Sequence, residues 1–397
     1  MSWFAWASLV GWLLTVAAAR LRSRPFAVFT AVKLGLSSLI AVALADRFLW
    51  AWPVYCYLQV AVHVQSLLLA RPRLRSLGYR LLISIPSAFF SAGTLLAWPW
   101  AVCRAFAYDL PGVWLPYAVA LLGVVESLVM RHEEFDLAVG DEDAGSVPRR
   151  HKSGALRVAR PLRLVQITDP HLGPFMSVER LAKIAQQAVE RDPDLVLLTG
   201  DFLTMESQSD PELLARALAP LAALPGRVFG CFGNHDHEAP AIVRAAFASI
   251  GARLLIDDSA LIETPAGRVQ VVGFDFCWRG RAEHLSRVCA QHPRVAGALR
   301  LALLHDPGAF RHLPPGEADL VLSGHTHGGQ VGLVSLGLPW TMLRLFANLP
   351  DHGLWARGWD RLYVHRGTGH YGFPLRVGVP AENSLLRVHA SVFGSAS

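Results

Sequence analysis

Two histidines stand two residues apart at the end of a short apolar run, Leu320-Val-Leu-Ser-Gly-His325-Thr-His327-Gly-Gly-Gln330. On a strand, residues i and i+2 share a face, and neutral imidazole is a common ligand of divalent metals. The pattern recurs. Leu162 to Thr168 runs into Asp169-Pro-His171, and Asp194 to Thr199 into Gly200-Asp201. Arg227 to Phe232 runs into Gly233-Asn234-His235-Asp236, and Leu301 to Leu304 into His305. One polar strand end needs no explanation, because Asp and Asn cap helices. Five of them point to one site outside the carboxyl ends of a sheet, where open α/β sheets bind ligands.

Carboxylate, amide and imidazole donors without thiolates suit borderline to hard divalent ions such as Mn, Fe or Zn. Asp169, His171, Asp201, Asn234, His305, His325 and His327 are too many for one open catalytic site, which keeps about three protein ligands. Two ions sharing one carboxylate fit the donor set better. A pair about 3.5 to 4 Å apart can clamp a phosphoryl group and polarise a bridging hydroxide for in-line attack.

The elements that must hold these residues begin near Leu162, where short apolar strands alternate with helical stretches in the manner of an α/β layer fold. The chain as a whole is too apolar for one soluble domain: of 397 residues, 52% are hydrophobic and 17% charged, with mean hydropathy +0.33. Five runs, Trp3 to Ala19, Phe26 to Ala45, Phe48 to Ala70, Leu81 to Cys103 and Val113 to Met130, each approach the ~20 residues of a bilayer span. Residues 1–130 are therefore expected to form an all-α transmembrane bundle. No Lys or Arg precedes the first run, so it reads as a retained anchor, not a cleavable signal peptide. Arg20, Arg22 and Arg24 follow the first run and Arg71, Arg73, Arg75 and Arg80 the third. With five crossings, the positive-inside rule places these loops and the C-terminal half in the cytoplasm, which makes this an inner-membrane protein. Lys33 and Glu126 read as side chains that snorkel to a span end.

Between the halves, 131–160 carries an acidic block (Glu133, Glu134, Asp136, Asp141, Glu142, Asp143) and then a basic one (Arg149, Arg150, His151, Lys152, Arg157, Arg160), the composition of an exposed tether. The net charge of +6 reflects membrane-flanking arginines. No basic patch is interleaved with aromatics, so no nucleic-acid partner is expected, and no motif predicts a protein partner. Five cysteines without a CxxC pair argue against a disulfide framework and fit a reducing compartment.

In their order, DxH, GD, GNHD, H and GHxH, the strand-end motifs resemble those of the calcineurin-like metallophosphoesterases. Gly324 to Gln330 and the later Leu362-Tyr-Val-His-Arg-Gly-Thr-Gly369 are similar to the membrane-associated YaeI/YkuE-like phosphodiesterase branch. The resemblance covers about Leu162 to Val388. It implies a four-layer αββα sandwich over 161–397, with one metal on Asp169, His171, Asp201 and His327. A second metal would sit on Asp201, Asn234, His305 and His325, with Asp201 bridging. It further implies that His235 donates a proton or a hydrogen bond to the phosphoryl group, with Asp236 helping to orient it. Where relatives of the phosphoprotein phosphatase type carry GDxxD, this chain has Thr204 in place of the last Asp, which favours phosphodiesterase chemistry and leaves His235 needing other support.

Other expectations concern the surroundings. Arg366 suits either a substrate phosphate or a structural ion pair. Phe274 to Trp278 is expected at the rim of the site. His237, His284, His292, His312, His352, His365, His370 and His389 read mostly as surface or supporting residues. The function expected is metal-dependent hydrolysis of a phosphodiester or pyrophosphate bond. Membrane tethering suggests a lipid-linked or membrane-proximal substrate. The alternative is a metal-binding membrane sensor or transport-associated protein without turnover.

Overall fold

The computed structural model describes residues 3–140, 143–370 and 375–393. They form two compact units: 3–128 with 205–207 and 375–377, and 129–140, 143–204, 208–370 and 378–393.

The first unit contains α1 (Trp3–Arg22), α2 (Arg24–Leu44), α3 (Trp52–Leu68), α4 (Leu77–Tyr79), α5 (Ile85–Leu96), α6 (Trp98–Ala105) and α7 (Leu115–Ser127). Three helical stretches, Trp3–Arg22, Arg24–Leu68 and Leu77–Leu96, are long and apolar enough to cross a membrane. The second breaks where Phe48 leaves helical geometry (φ −113°, ψ 23°), beside Asp46 and Arg47, which separates α2 from α3. The fifth run departs from expectation. It supplies only the thirteen residues of α7, about 20 Å at ~1.5 Å per residue, because the chain is already extended at Met130. The fourth run also ends early: Ala97 breaks the helix, and Pro99 opens α6 at a position where its missing N–H is of no consequence. Lys33 is a further difference. It lies about two and a half turns after the start of α2 and three before its end, too deep to be an end residue.

The second unit holds two sheets. In the first, β1 (Met130–Val139) pairs in parallel with the later strand Ala381–Ala390. The second opens with β2 (Arg149–Arg150). There follow β3 (Leu162–Ile167), β4 (Leu195–Leu198), β5 (Val228–Gly230), β6 (Arg253–Leu254), β7 (Asp258–Thr264) and β8 (Gly267–Gly273). The remaining strands are β9 (Leu299–Leu303), β10 (Leu320–Ser323), β11 (Gly353–Arg357), β12 (Asp360–Val364) and β13 (Ala381–Ala390). The strand orders are β1-β13-β3-β4-β5-β6 and β2-β11-β12-β10-β9-β8-β7.

Side-chain alternation explains the layering. Leu162, Leu164, Leu195 and Leu197 face Leu299, Leu301, Leu320 and Leu322 across the space between the sheets. Their neighbours Val165, Ile167, Val196 and Leu198 turn outward. They pack there with residues of α8 (Val178–Glu190), α9 (Glu212–Leu218) and α10 (Pro240–Ser249). On the far side, Ala302 and Val321 bury Leu285 and Val288 of α11 (Arg281–Gln291). Helices, sheet, sheet and helix make the expected four layers.

The expected tether is not a tether. Residues 130–139 form β1, parallel to β13 along all ten residues, with Leu137 and Val139 in the core between the sheets. Asp136 lies opposite Arg387 and takes its guanidinium at 3.0 Å, with His389 Nε2 at 2.8 Å, while Glu134 meets Arg387 at 3.0 Å. Charges on one face masked the alternation Phe135, Leu137, Val139 on the other, and such charges are usual on a sheet edge. In the basic block, β2 pairs with β11 and Arg150 holds Asp351 at 2.6 Å. Asp141 and Glu142 lie outside the described residues.

Candidate metal centre

The four parallel strands β3, β4, β9 and β10 stop at the same edge of the sandwich, and β5 ends beside them. Each hands the chain to a motif whose main chain is bent sharply. Nine non-glycine residues among those described have positive φ, and five of them are Asp169 (50°), His171 (44°), Asp201 (56°), His325 (66°) and His327 (51°). Left-handed backbone costs a non-glycine residue free energy, and it collects at functional sites.

The glycines of the motifs have a steric reason. A Cβ on Gly324 would come within 2.1 Å of Asp169 Oδ2, and one on Gly233 within 2.3 Å of Asp201 Oδ1. Hydrogen bonds then fix the donors. The Asp169 carboxylate accepts the His325 N–H at 2.9 Å and the Thr168 hydroxyl at 2.8 Å. Asp201 Oδ1 accepts the His235 N–H at 2.8 Å, leaving Oδ2 to face the imidazoles. His305 Nδ1 lies 2.7 Å from the Thr199 carbonyl and so carries a hydrogen there, which turns Nε2 toward Asp201.

The result is two groups of donors. Asp169, His171 and His327 form one, and Asp201, His305 and His325 the other, each with ligand atoms within 4.8 Å of one another. Asp201 Oδ2 joins them, 3.3 Å from His305 Nε2 and 3.7 Å from His171 Nε2. His171 Nε2 and His327 Nε2 are 3.2 Å apart. At that distance the two nitrogens share either one proton or one cation. The Oδ1 of Asn234 is buried without a hydrogen-bond partner.

Electrostatics fit the same reading. Burial lowers His171 to about 3 and raises Asp169 to about 6, so each is pressed toward its neutral form. Burial also opposes the charge on Asp201, but His305 outweighs it and keeps that carboxyl far below the usual range. Despite its burial, His305 is in turn raised by Asp201 to about 10, so a cation bound there would displace that proton. Imidazoles and buried carboxylates around a common point are the donor set of a divalent cation. The residues present suit two.

His235 sits beside these groups, its ring 5.6 Å from that of His171. Its Nδ1 meets Glu238 Oε1 at 3.0 Å. Burial works against its charge, but the Glu238 hydrogen bond and the charges of Asp201, Glu238 and Asp236 prevail and raise its pKa. Asp236 does not do what the sequence reading expected. Its carboxylate accepts the N–H groups of Asp201 (2.7 Å), Phe202 (2.8 Å) and Gly233 (2.7 Å), which ties two motif loops together. Glu238, three residues after His235, is the orienting carboxylate that the sequence reading missed; its i+3 spacing was the available signal. Thr204 turns its hydroxyl to the Leu172 carbonyl at 3.3 Å.

Phe276 reaches the rim as expected, its ring 6.2 Å from His305 and 6.1 Å from His325, with Trp278 beyond it 68% exposed. Arg366 is buried between Glu382 (2.9 Å) and Glu133, an ion pair of the fold. His352, His365, His370 and His389 are buried, which makes them supporting and not surface residues. His365 follows β12 directly, so it is a strand-end histidine the sequence reading overlooked, and it faces Glu382 at 3.5 Å. All five cysteines are free.

Residues 162–329 match the family model described as calcineurin-like phosphoesterase. Phosphodiesterase YaeI of Escherichia coli (strain K12) is 30% identical over 240 residues, 58% of this chain and 83% of that protein. The metallophosphoesterase YkuE of Bacillus subtilis (strain 168) is 27% identical over 54% of this chain and 74% of its own length. UDP-2,3-diacylglucosamine pyrophosphatase LpxG of Chlamydia trachomatis serovar D is 26% identical over 57% of this chain and 83% of its own.

Proposed function

We propose, from the premise that this chain belongs to the calcineurin-like phosphoesterase family and is a phosphoester hydrolase, that it cleaves a phosphodiester or pyrophosphate bond of a lipid-linked substrate while anchored in a membrane. The observation that carries the hydrolytic part is the single carboxylate oxygen of Asp201 shared between His305 and His171. Asp169, His171, Asp201 and His327 would hold one divalent cation. Asp201, Asn234, His305 and His325 would hold the other. Two such cations supply Lewis-acid polarisation of the phosphoryl oxygens and a nucleophile at neutral pH.

The protein's own groups account for the rest. His235, whose charged form Glu238 favours, donates a proton to the leaving oxygen as the ester bond breaks. Asp236 holds the Asp201 and Asn234 loops in register. Phe276 and Trp278 offer an apolar wall to whatever the phosphoryl group carries. The lipid-linked assignment draws support from the three helical stretches apolar enough to cross a membrane. It also draws on the similarity to a pyrophosphatase whose name specifies a diacylated sugar nucleotide.

The test is hydrolysis of bis-p-nitrophenyl phosphate by the full-length protein in detergent, with Mn added or chelated. Turnover should require metal, and His235→Ala should lower it by about 10²- to 10⁴-fold with metal content unchanged. Metal bound at two per chain without cleavage of any phosphoester would instead make the protein a sensor.

A further inference from the structure

Shortly after the His325-Thr-His327 motif the chain reads Leu333-Val-Ser-Leu-Gly-Leu-Pro-Trp-Thr-Met-Leu-Arg-Leu-Phe346, with one charge, Arg344, and no carboxylate. The segment is a braced loop. Gly332 pairs with Thr341, the Leu333 N–H donates to the Trp340 carbonyl at 2.9 Å, and the Thr341 hydroxyl donates to Asp351 Oδ2 at 2.7 Å. Its apolar side chains nevertheless face outward: Leu336 is 74% exposed, Leu345 64% and Phe346 78%, and Leu333, Leu338 and Trp340 are exposed as well. Single exposed leucines are ordinary, whereas a run of large apolar side chains held out on one short loop marks an interaction site.

Chain continuity identifies the partner. Val331, at the base of the loop, pairs with Gly378, and the Ser335 N–H donates to the Gly378 carbonyl at 2.9 Å. The preceding residue, Val377, belongs to the helical unit, where it and Leu375 pack with Ala92 of α5 and Ala120 of α7. Helix α5 lies in the stretch Leu77–Leu96, long and apolar enough to cross a membrane. The base of the loop is therefore tied, one peptide bond away, to chain that lies among those helices. Composition agrees, since leucine, phenylalanine and tryptophan with a basic side chain and no acidic one suit the boundary between acyl chains and headgroups. We propose that residues 333–346 insert into the headgroup–acyl boundary of the bilayer and hold the metal centre at the lipid surface. This rests on the membrane-anchored reading above and not on which bond is cut.

The experiment uses the full-length protein in nanodiscs of phosphatidylcholine and phosphatidylglycerol, with Cys56, Cys103 and Cys277 replaced by serine; Cys231 and Cys289 are buried. A polarity-sensitive fluorophore is attached at Leu336→Cys, Phe346→Cys, Val28→Cys on α2 or Leu261→Cys on β7, all exposed positions. Lipids carrying a nitroxide on the acyl chain near the headgroup should quench the labels at positions 336 and 346 as strongly as the one at 28, and leave the one at 261 bright. Iodide in the water should quench only the label at 261. Should one loop variant fail to fold, the other carries the comparison. Nitroxide quenching at 28 without quenching at 336 and 346 would overturn the proposal and leave the anchored reading standing; quenching at none of the three would overturn both. Protection from iodide at 336 and 346 without nitroxide quenching would put a protein surface, a second copy included, over the loop, and would overturn the proposal too.

Discussion

At Asp236 two carboxylate oxygens accept three main-chain N–H groups, from Asp201, Phe202 and Gly233. An amide has one acceptor oxygen, so Asp236→Asn leaves at least one buried donor unpaired, at a cost of about 1 to 3 kcal/mol. Bound metal per chain and unfolding temperature should both fall, the first measured by elemental analysis. A variant that keeps both would remove Asp236 from its bracing role. Glu238 acts differently. It raises the pKa of His235, and a donor must be protonated to act, so turnover declines as pH rises through that pKa. Glu238→Gln withdraws the charge that favours imidazolium. The alkaline limb of the pH–rate profile should therefore move to lower pH, with the acid limb and metal content unchanged.

Strand β1 changes where the catalytic unit begins. Its ten-residue pairing covers the edge of β13, where Leu386 and Val388 belong to the core between the sheets. A fragment starting near Leu156 lacks that cover and opens a long hydrophobic strand edge, a template for aggregation. A fragment starting at Val129 keeps it. The longer fragment should be monomeric by size-exclusion chromatography and the shorter one aggregated. Equal behaviour would show β1 to be dispensable. The core beneath is less forgiving: Leu195 to Leu198 are fully buried, and trimming such a leucine to alanine typically costs about 2 to 5 kcal/mol.

For the molecule as a whole, the arginine loops after the first and third apolar runs support a catalytic unit on the cytoplasmic side. That orientation needs an odd number of crossings, so the thirteen residues of α7 must cross together with the apolar residues flanking them. Thirteen residues rise about 20 Å against a hydrocarbon core of about 30 Å, and the question is decided by reporter fusions. A C-terminal green fluorescent protein should fluoresce, and a C-terminal alkaline phosphatase should be silent. The opposite pair of results would mean four crossings and a catalytic unit on the outer side.

The motif residues were legible from the sequence alone because metal ligation restricts residue types severely. Only a few side chains bind divalent cations, and five apolar runs ending in them are hard to arrange by chance. The four layers were implied by the family resemblance and not by alternation, because strands such as Leu195–Leu198 are buried on both faces and read as continuous apolar runs. Three things were decided only by the fold. Charged β1 joined a sheet because its partner, β13, lies about 250 residues away and supplies Arg387 and His389. Glu238 takes the role expected of Asp236 because direction, not proximity in the chain, determines which carboxylate faces an imidazole. The two donor groups share Asp201 because β3, β4, β9 and β10 end side by side, and strand order across a sheet is a property of contacts far apart in sequence.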